Sequence, residues 1–255
     1  MKQIAMAIVI AWALTAGAGD RASAQTDPWT DLQKIYKDLP GKESAPPVQA
    51  SVQKRSDPWH ALRSVFVPFS VEEEAAAVRQ PEAARKISQR VEGRLGRYHQ
   101  LIKNASTRFD VPQSIVKSVI LAESGGDPAA KASTTTAKGL MQTIDSTFRL
   151  AQKDLLRQGI IIKNDPLDPH ASIMAGTWYL DRMYKKADQD GKIKNANRND
   201  ISTWRYPLEY YYAGPANGRK TKNKILVFSK GTRRIIDKRA YSKKVQKWAK
   251  IMDMS

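Results

Sequence analysis

Glu123 is the residue whose placement asks for a chemical explanation. Ile115 and Val119 precede it at four-residue steps, and Val116 and Ile120 widen the same face, so Glu123 lies on an apolar helical stripe where a core residue is expected. It also falls in the last turn before Gly125-Gly126, where the helix dipole repels negative charge. Burial and dipole both disfavour the carboxylate form. A carboxylic acid kept protonated near neutral pH can protonate a leaving oxygen, which is what glycoside cleavage requires. A structural glutamate bonded to neighbouring backbone fits this helix equally well. Other chemistries are poorly supplied. The chain has no cysteine, which removes thiol nucleophiles, disulfides and cysteine metal sites. Its three histidines, His60, His99 and His170, are far apart with no HExxH pair, which argues against a histidine metal centre, and His99 reads as a surface residue.

The elements that must position Glu123 are helical. Asp110, Pro112 and Gln113 read as a capping box opening its helix. Residues 71–105 carry helical periodicity, with Glu72 to Glu74 near the start, and Pro81 separates two helices. Residues 131–138 read as a loop, and Thr143 or Ser146 as the cap of a helix reaching Gly159. Asp168-Pro169 opens another helix, with Ile173, Thr177, Leu180 and Tyr184 on one face. Residues 201–212 are aromatic and helical, with Pro207 as a kink or a new first turn. Residues 233–252 read as a last, very basic helix with apolar contacts from Ile235, Ile236, Val245, Trp248 and Ile251, while 225–229 could form a short strand. The expected fold class is mainly α.

Three separated blocks carry a resemblance. The first is Glu123-Ser124-Gly125-Gly126-Asp127-Pro128, followed by Ser133, Ala137 and Gly139-Leu140-Met141-Gln142. The second is Asp168-Pro169 with Ile173, Gly176, Tyr179 and Leu180, and the third is Tyr210-Tyr211-Tyr212-Ala213-Gly214-Pro215. In this order they resemble the soluble-type, goose-lysozyme-like lytic transglycosylases over roughly residues 98–245, and Tyr241 and Val245 echo the family's closing helix. Several positions depart from the pattern: an extra residue between Pro128 and Ser133, Thr136 for a common Gly, Asp145 for Pro, Ser172 for Asn, and Tyr212 for the Asn beside the family's tyrosine.

The resemblance implies a lysozyme-like helical domain that cleaves peptidoglycan glycan strands. It makes Glu123 the single acid/base and Tyr211 the tyrosine that holds it. Ser133 and Gln142 match positions lining the sugar groove, Met141 a groove or core position, and Ser124 a brace of the helix end that stands beside the substrate positions. Glu123 would protonate the oxygen between N-acetylmuramic acid and N-acetylglucosamine, then take the proton of the muramoyl C6 hydroxyl as a 1,6-anhydro ring closes. No water is consumed, and no metal or cofactor is required. A lysozyme-like muramidase, with Glu209 or Asp127 as base, and a scaffold that only grips peptidoglycan are the rival readings.

The flanks and the charge complete the expectation. Lys2, the apolar run Ile4 to Ala18 and Ala22-Ser23-Ala24 read as a signal peptide over residues 1–24, cleaved after Ala24 for export to the periplasm. Residues 25–94 read as a proline-rich linker and helical extension bearing two Asp-Pro-Trp turns, at Asp27 and Asp57, and residues 95–245 as the transglycosylase domain with a 246–255 tail. The net charge is +18, and residues 217–250 hold thirteen Lys or Arg against Asp237 alone. Attraction to the anionic cell envelope accounts for this charge, with a secretion or conjugation apparatus as the alternative partner. Nucleic acid is excluded as a natural target, because export removes the chain from it and a DNA binder has no use for an acid on a core stripe.

Overall fold

The computed structural model describes residues 69–229 and 232–254, so the signal-peptide reading and both Asp-Pro-Trp turns lie outside the described residues. Helix α1 (Val71–Arg79) begins with a reciprocal cap: Glu73 N–H donates to Ser70 Oγ at 3.1 Å, and Ser70 N–H donates to Glu73 Oε2 at 2.8 Å. Gln80 is extended, the conformation favoured before proline, and Pro81 opens α2 (Pro81–Leu95). Ala84, Ile87, Val91 and Leu95 form its buried stripe.

A short 3-10 turn leads into α3 (His99–Phe109), which ends on Asp110 in the left-handed region at φ 52°. Asp110 therefore does not cap the next helix as the sequence suggested. Its carboxylate is exposed and pairs with Arg198 at 3.6 Å, and Pro112 takes the N-cap position with no side-chain cap. Helix α4 (Gln113–Glu123) is buried almost all round: Ser114, Ile115, Val116, Ser118, Val119, Ile120 and Leu121 are all enclosed. The stripe read from its sequence is only part of its buried surface.

Helix α5 (Asp145–Arg157) starts after Ile144 without the expected Thr143 or Ser146 cap; Thr143 is itself buried. Helix α6 (Pro169–Gln189) opens as read, with Ala171 N–H donating to Asp168 Oδ1 at 3.0 Å, and Ile173, Thr177, Leu180 and Tyr184 all buried. A 3-10 turn (Ile201–Trp204) precedes α7 (Arg205–Ala213), which places Pro207 in a first turn. The short α8 (Pro215–Gly218) follows.

The C-terminal third departs from the single basic helix. Two strands pair antiparallel as a hairpin, β1 (Lys224–Ser229) with β2 (Thr232–Asp237), in which Ile225 pairs with Ile236 and Leu226 with Ile235. The Ile225–Ile236 pair is buried, while Ile235 is 67% exposed, because alternate residues of a strand face opposite sides. Ile235 therefore does not join the helical apolar face. Helix α9 (Lys238–Asp253) begins only at Lys238, capped by Asp237, and buries Tyr241, Val245, Trp248 and Ile251. It packs on α2, α4 and α7. Glu74 of α1 fastens it from outside, accepting from Trp248 Nε1 at 2.7 Å and Lys247 Nζ at 2.8 Å, and Phe69 meets the Trp248 ring edge-on. The described chain is mainly α, as expected, with this two-stranded sheet as its one sheet among the described residues.

Candidate active site

Glu123 is the last residue of α4, half-buried, and the chain reverses directly after it through Gly125 at φ 62° and Gly126 at φ 90°. Ser124 fixes this end. It is 4% exposed, its hydroxyl lies 2.8 Å from Leu140 O and 3.1 Å from Ile120 O, and it accepts from Gly126 N–H at 3.2 Å. Ser124 thus ties the end of α4 to the Gly139–Gln142 turn.

That turn is tightly specified. Gly139 has φ +74°, and a Cβ there would collide with Pro166 O and stand 2.7 Å from Ser172 Oγ. Gln142 is also left-handed, at φ 47°, and its Nε2 donates to Ala130 O at 3.0 Å and Gly139 O at 2.9 Å. Met141 is fully buried, and its Cβ and Sδ would lie 2.5 Å from a Cβ at Gly176. Met141 is therefore core filling in this fold and has no surface in the groove.

Two pockets flank Glu123. One, of about 280 Å³, is bounded by Tyr212, Tyr241, Lys244 and the Arg234–Asp237 stretch of β2. The other, of about 130 Å³, is bounded by Ala132, Thr135, Gln142, Tyr211 and Tyr212. Arg234 borders both. The structure thus brings Glu123, Gln142 and Tyr211 together. Ser133 is exposed and is absent from both linings, with Ala132 and Thr135 in its stead.

The glutamate's hydrogen bond comes from an unexpected tyrosine. Tyr241 of α9 donates its hydroxyl to Glu123 Oε1 at 2.6 Å, whereas the Tyr211 hydroxyl donates to Met141 O at 2.6 Å. A phenol has one proton to give, so in this arrangement Tyr211 braces the Met141 turn and Tyr241 holds the acid. Burial, with the Glu123 charge next, raises both phenols well above their ordinary value, so each stays a donor. Tyr212, which stands where the resemblance leads one to expect Asn, stacks on Tyr241 with ring centroids 4.3 Å apart and planes 7° from parallel. Tyr179 packs against Tyr211 at 5.3 Å. The role of Tyr241 had one sequence signal, its match to the closing helix; Tyr212 had the departure itself.

The two carboxylates considered as hydrolytic bases do not border these pockets. Glu209 is 1% exposed and ringed by Arg205, Lys238 and Arg239 at 3.1, 3.5 and 3.8 Å. Asp127 accepts from Ala129 N–H at 2.9 Å and faces a separate surface recess with Arg94 and Arg97. The carboxylate that does share a pocket with Glu123 is Asp237, the cap of α9.

Residues 100–248 match the transglycosylase SLT domain family, which is more than half of the chain. This chain is a member of the SLT transglycosylase family. All of the groove residues named above fall inside the SLT match, and α1 and α2 precede it. The chain is also similar to the membrane-bound lytic murein transglycosylase F 2 of Alkalilimnicola ehrlichii, 35% identical over 96 residues, which is 38% of this chain and 19% of that relative. The match thus spans about a fifth of the relative's length.

Proposed function

We propose that this protein is a peptidoglycan lytic transglycosylase in which Glu123 is both acid and base. The observation that carries the reading is the half-buried Glu123 at a helix end, held by Tyr241 where two pockets meet. In the first half of the reaction Glu123 gives its proton to the glycosidic oxygen as that oxygen leaves the anomeric carbon of N-acetylmuramic acid. In the second, the carboxylate takes the proton of the C6 hydroxyl as that oxygen bonds to the anomeric carbon. Glu123 ends reprotonated, and the product is a 1,6-anhydro ring with no water added. The Tyr241 bond keeps the carboxyl oriented through both halves. Family membership supports the reaction class.

The decisive assay is mass spectrometry of glycan fragments released by the purified protein. Anhydro ends are lighter than hydrolysis products by one water, about 18 Da, because intramolecular attack replaces the hydrolytic water. Glu123→Gln keeps shape but neither gives nor takes the proton, and each such role is typically worth about 10²–10⁴-fold. An active Glu123→Gln protein would overturn the mechanism. A second reading has one observation in its favour: Asp237 shares the larger pocket and could seat a water, making the protein a muramidase. Reducing ends as the main product would select it.

The reading requires export to the periplasm. Sequencing the N-terminus of the mature protein tests it, with Gln25 as the expected first residue. Among the described residues no helix is long and apolar enough to cross a membrane. The basic segment 217–250 supplies attraction to the anionic envelope, or docks a secretion or conjugation apparatus that needs a local opening in the wall. Envelope binding that weakens steeply with added salt is the outcome expected of simple attraction.

A further inference from the structure

The hairpin contributes one cation to the groove that no side chain among the described residues engages. Arg234 is half-buried and borders both pockets beside Glu123. Among the described residues its guanidinium has no hydrogen bond or ion pair. Other enclosed arginines are engaged: Arg198 reaches Asp181 at 2.7 Å and Arg205 reaches Glu209 at 3.1 Å. Arg234 is also rigidly mounted. It pairs with Val227 and lies on the same face as the buried Ile225–Ile236 pair, which seats the hairpin on the domain.

The surrounding charge says what such a cation is for. Glu123 and Asp237 stand in the same groove and would repel an anionic substrate, and Lys244, which lies over the Trp248 ring, borders only the larger pocket. A muramoyl unit is anionic: its lactyl ether at C3 ends in a carboxylate, or is amide-linked to a stem peptide that bears carboxylates. A planar, fixed fork of N–H donors matches a carboxylate in two parallel bonds, and a guanidinium stays charged at every relevant pH.

We propose that Arg234 is the carboxylate-recognition residue of this groove, so that the strands it accepts best carry a free carboxylate on the muramoyl side chain. The inference rests on the reading that the groove takes muramoyl glycan. It assigns Arg234 to binding and leaves proton transfer with Glu123.

Three substrates separate the sources of the carboxylate: strands with intact stem peptides, amidase-stripped strands with free lactyl carboxylates, and either of these with the carboxylates capped as methylamides. Arg234→Gln is compared with Arg233→Gln, which removes the same charge from an exposed neighbour on the opposite face. In the wild type, capping should raise KM about tenfold, the scale of a charge-assisted hydrogen bond discounted for partial exposure. Arg234→Gln should lose that discrimination, with KM high for both forms and kcat little changed. Arg233→Gln should discriminate like the wild type. Arg234→Lys should restore part of the difference, which a disordered hairpin would not do. Discrimination on stripped strands assigns the lactyl carboxylate; discrimination only on peptide-bearing strands assigns the stem. An Arg234→Gln protein as sensitive to capping as the wild type would overturn the proposal. Calorimetric binding of the same substrates to Glu123→Gln, with and without Arg234→Gln, decides the matter without turnover. Wild-type protein that forms no anhydro product while binding still discriminates would therefore sink the transglycosylase reading and leave this one standing.

Discussion

Replacing Glu209 with Gln tests both the frame of the site and the rival chemistry. Glu209 and Lys238 are each 1% exposed, and Lys238 Nζ lies 3.5 Å from Glu209 Oε2. The substitution keeps shape and removes the only carboxylate in contact with Lys238, Arg205 and Arg239 among the described residues. Breaking a buried pair from one side costs about 3–5 kcal/mol. Lys238 retains three carbonyl acceptors, on Asn217, Gly218 and Lys220, so the lower end, about 3 kcal/mol, is expected here. For a domain of this size that corresponds to a fall in Tm of about 6–12 °C. The penalty also has a pH signature. Burial lowers the Lys238 pKa, and Glu209 partly offsets that shift, so the variant lowers it further. The uncompensated charge disappears as pH rises through that lowered pKa, so the loss of stability should shrink between neutral pH and about 10. Thermal melts across pH give the stability, and anhydro-product release well below the melting range gives the activity. A Tm shift under about 2 °C would refute the account of the cage. Lost turnover in a folded variant would return Glu209 to the chemistry.

Tyr241→Phe should lower kcat about tenfold with KM little changed, since it removes the bond that orients the Glu123 carboxyl. Tyr212→Ala should cost about two- to tenfold, and less in a Tyr241→Phe background, because the stack acts through Tyr241; equal effects in both backgrounds would count against that coupling. Ultraviolet titration should leave the Tyr210, Tyr211 and Tyr241 phenols protonated well above pH 10, burial being the first cause for each. Because the unfolded chain gives up those protons first, stability should fall as pH rises beyond about 10. Gly139→Ala should destabilise by more than about 2 kcal/mol in urea melts, because it adds left-handed strain to a collision with Pro166 O.

What could be read from the sequence followed the range of each interaction. The stripe ending at Glu123, the Asp168-Pro169 start and the break at Pro81 are local patterns, and the structure holds all three. The first strand was legible as a short apolar run at 225–229, but its partner was hidden because Arg233 to Ile236 continues smoothly into a true helix. Asp110 has the residue type of an N-cap but serves as the left-handed end of the preceding helix, a choice made by the turn between α3 and α4. The Tyr241–Glu123 bond joins positions 118 residues apart, which no periodicity encodes. Similarly, the burial of Met141 depends on Gly176 of a different helix.

The Glu74 clasp on α9 separates the limits of the family match from the limits of the architecture. The shared SLT segment begins at residue 100, yet the helix that presents Tyr241 to Glu123 is pinned by residues upstream of it. A fragment cut to the matched segment would lose the partners of Lys247 and the Trp248 indole and bare the face that α2 covers. The resulting looseness would pass along α9 to the hydroxyl that holds the acid. In this molecule the matched segment is not a unit that can be transplanted alone: its working geometry is completed by residues that precede it.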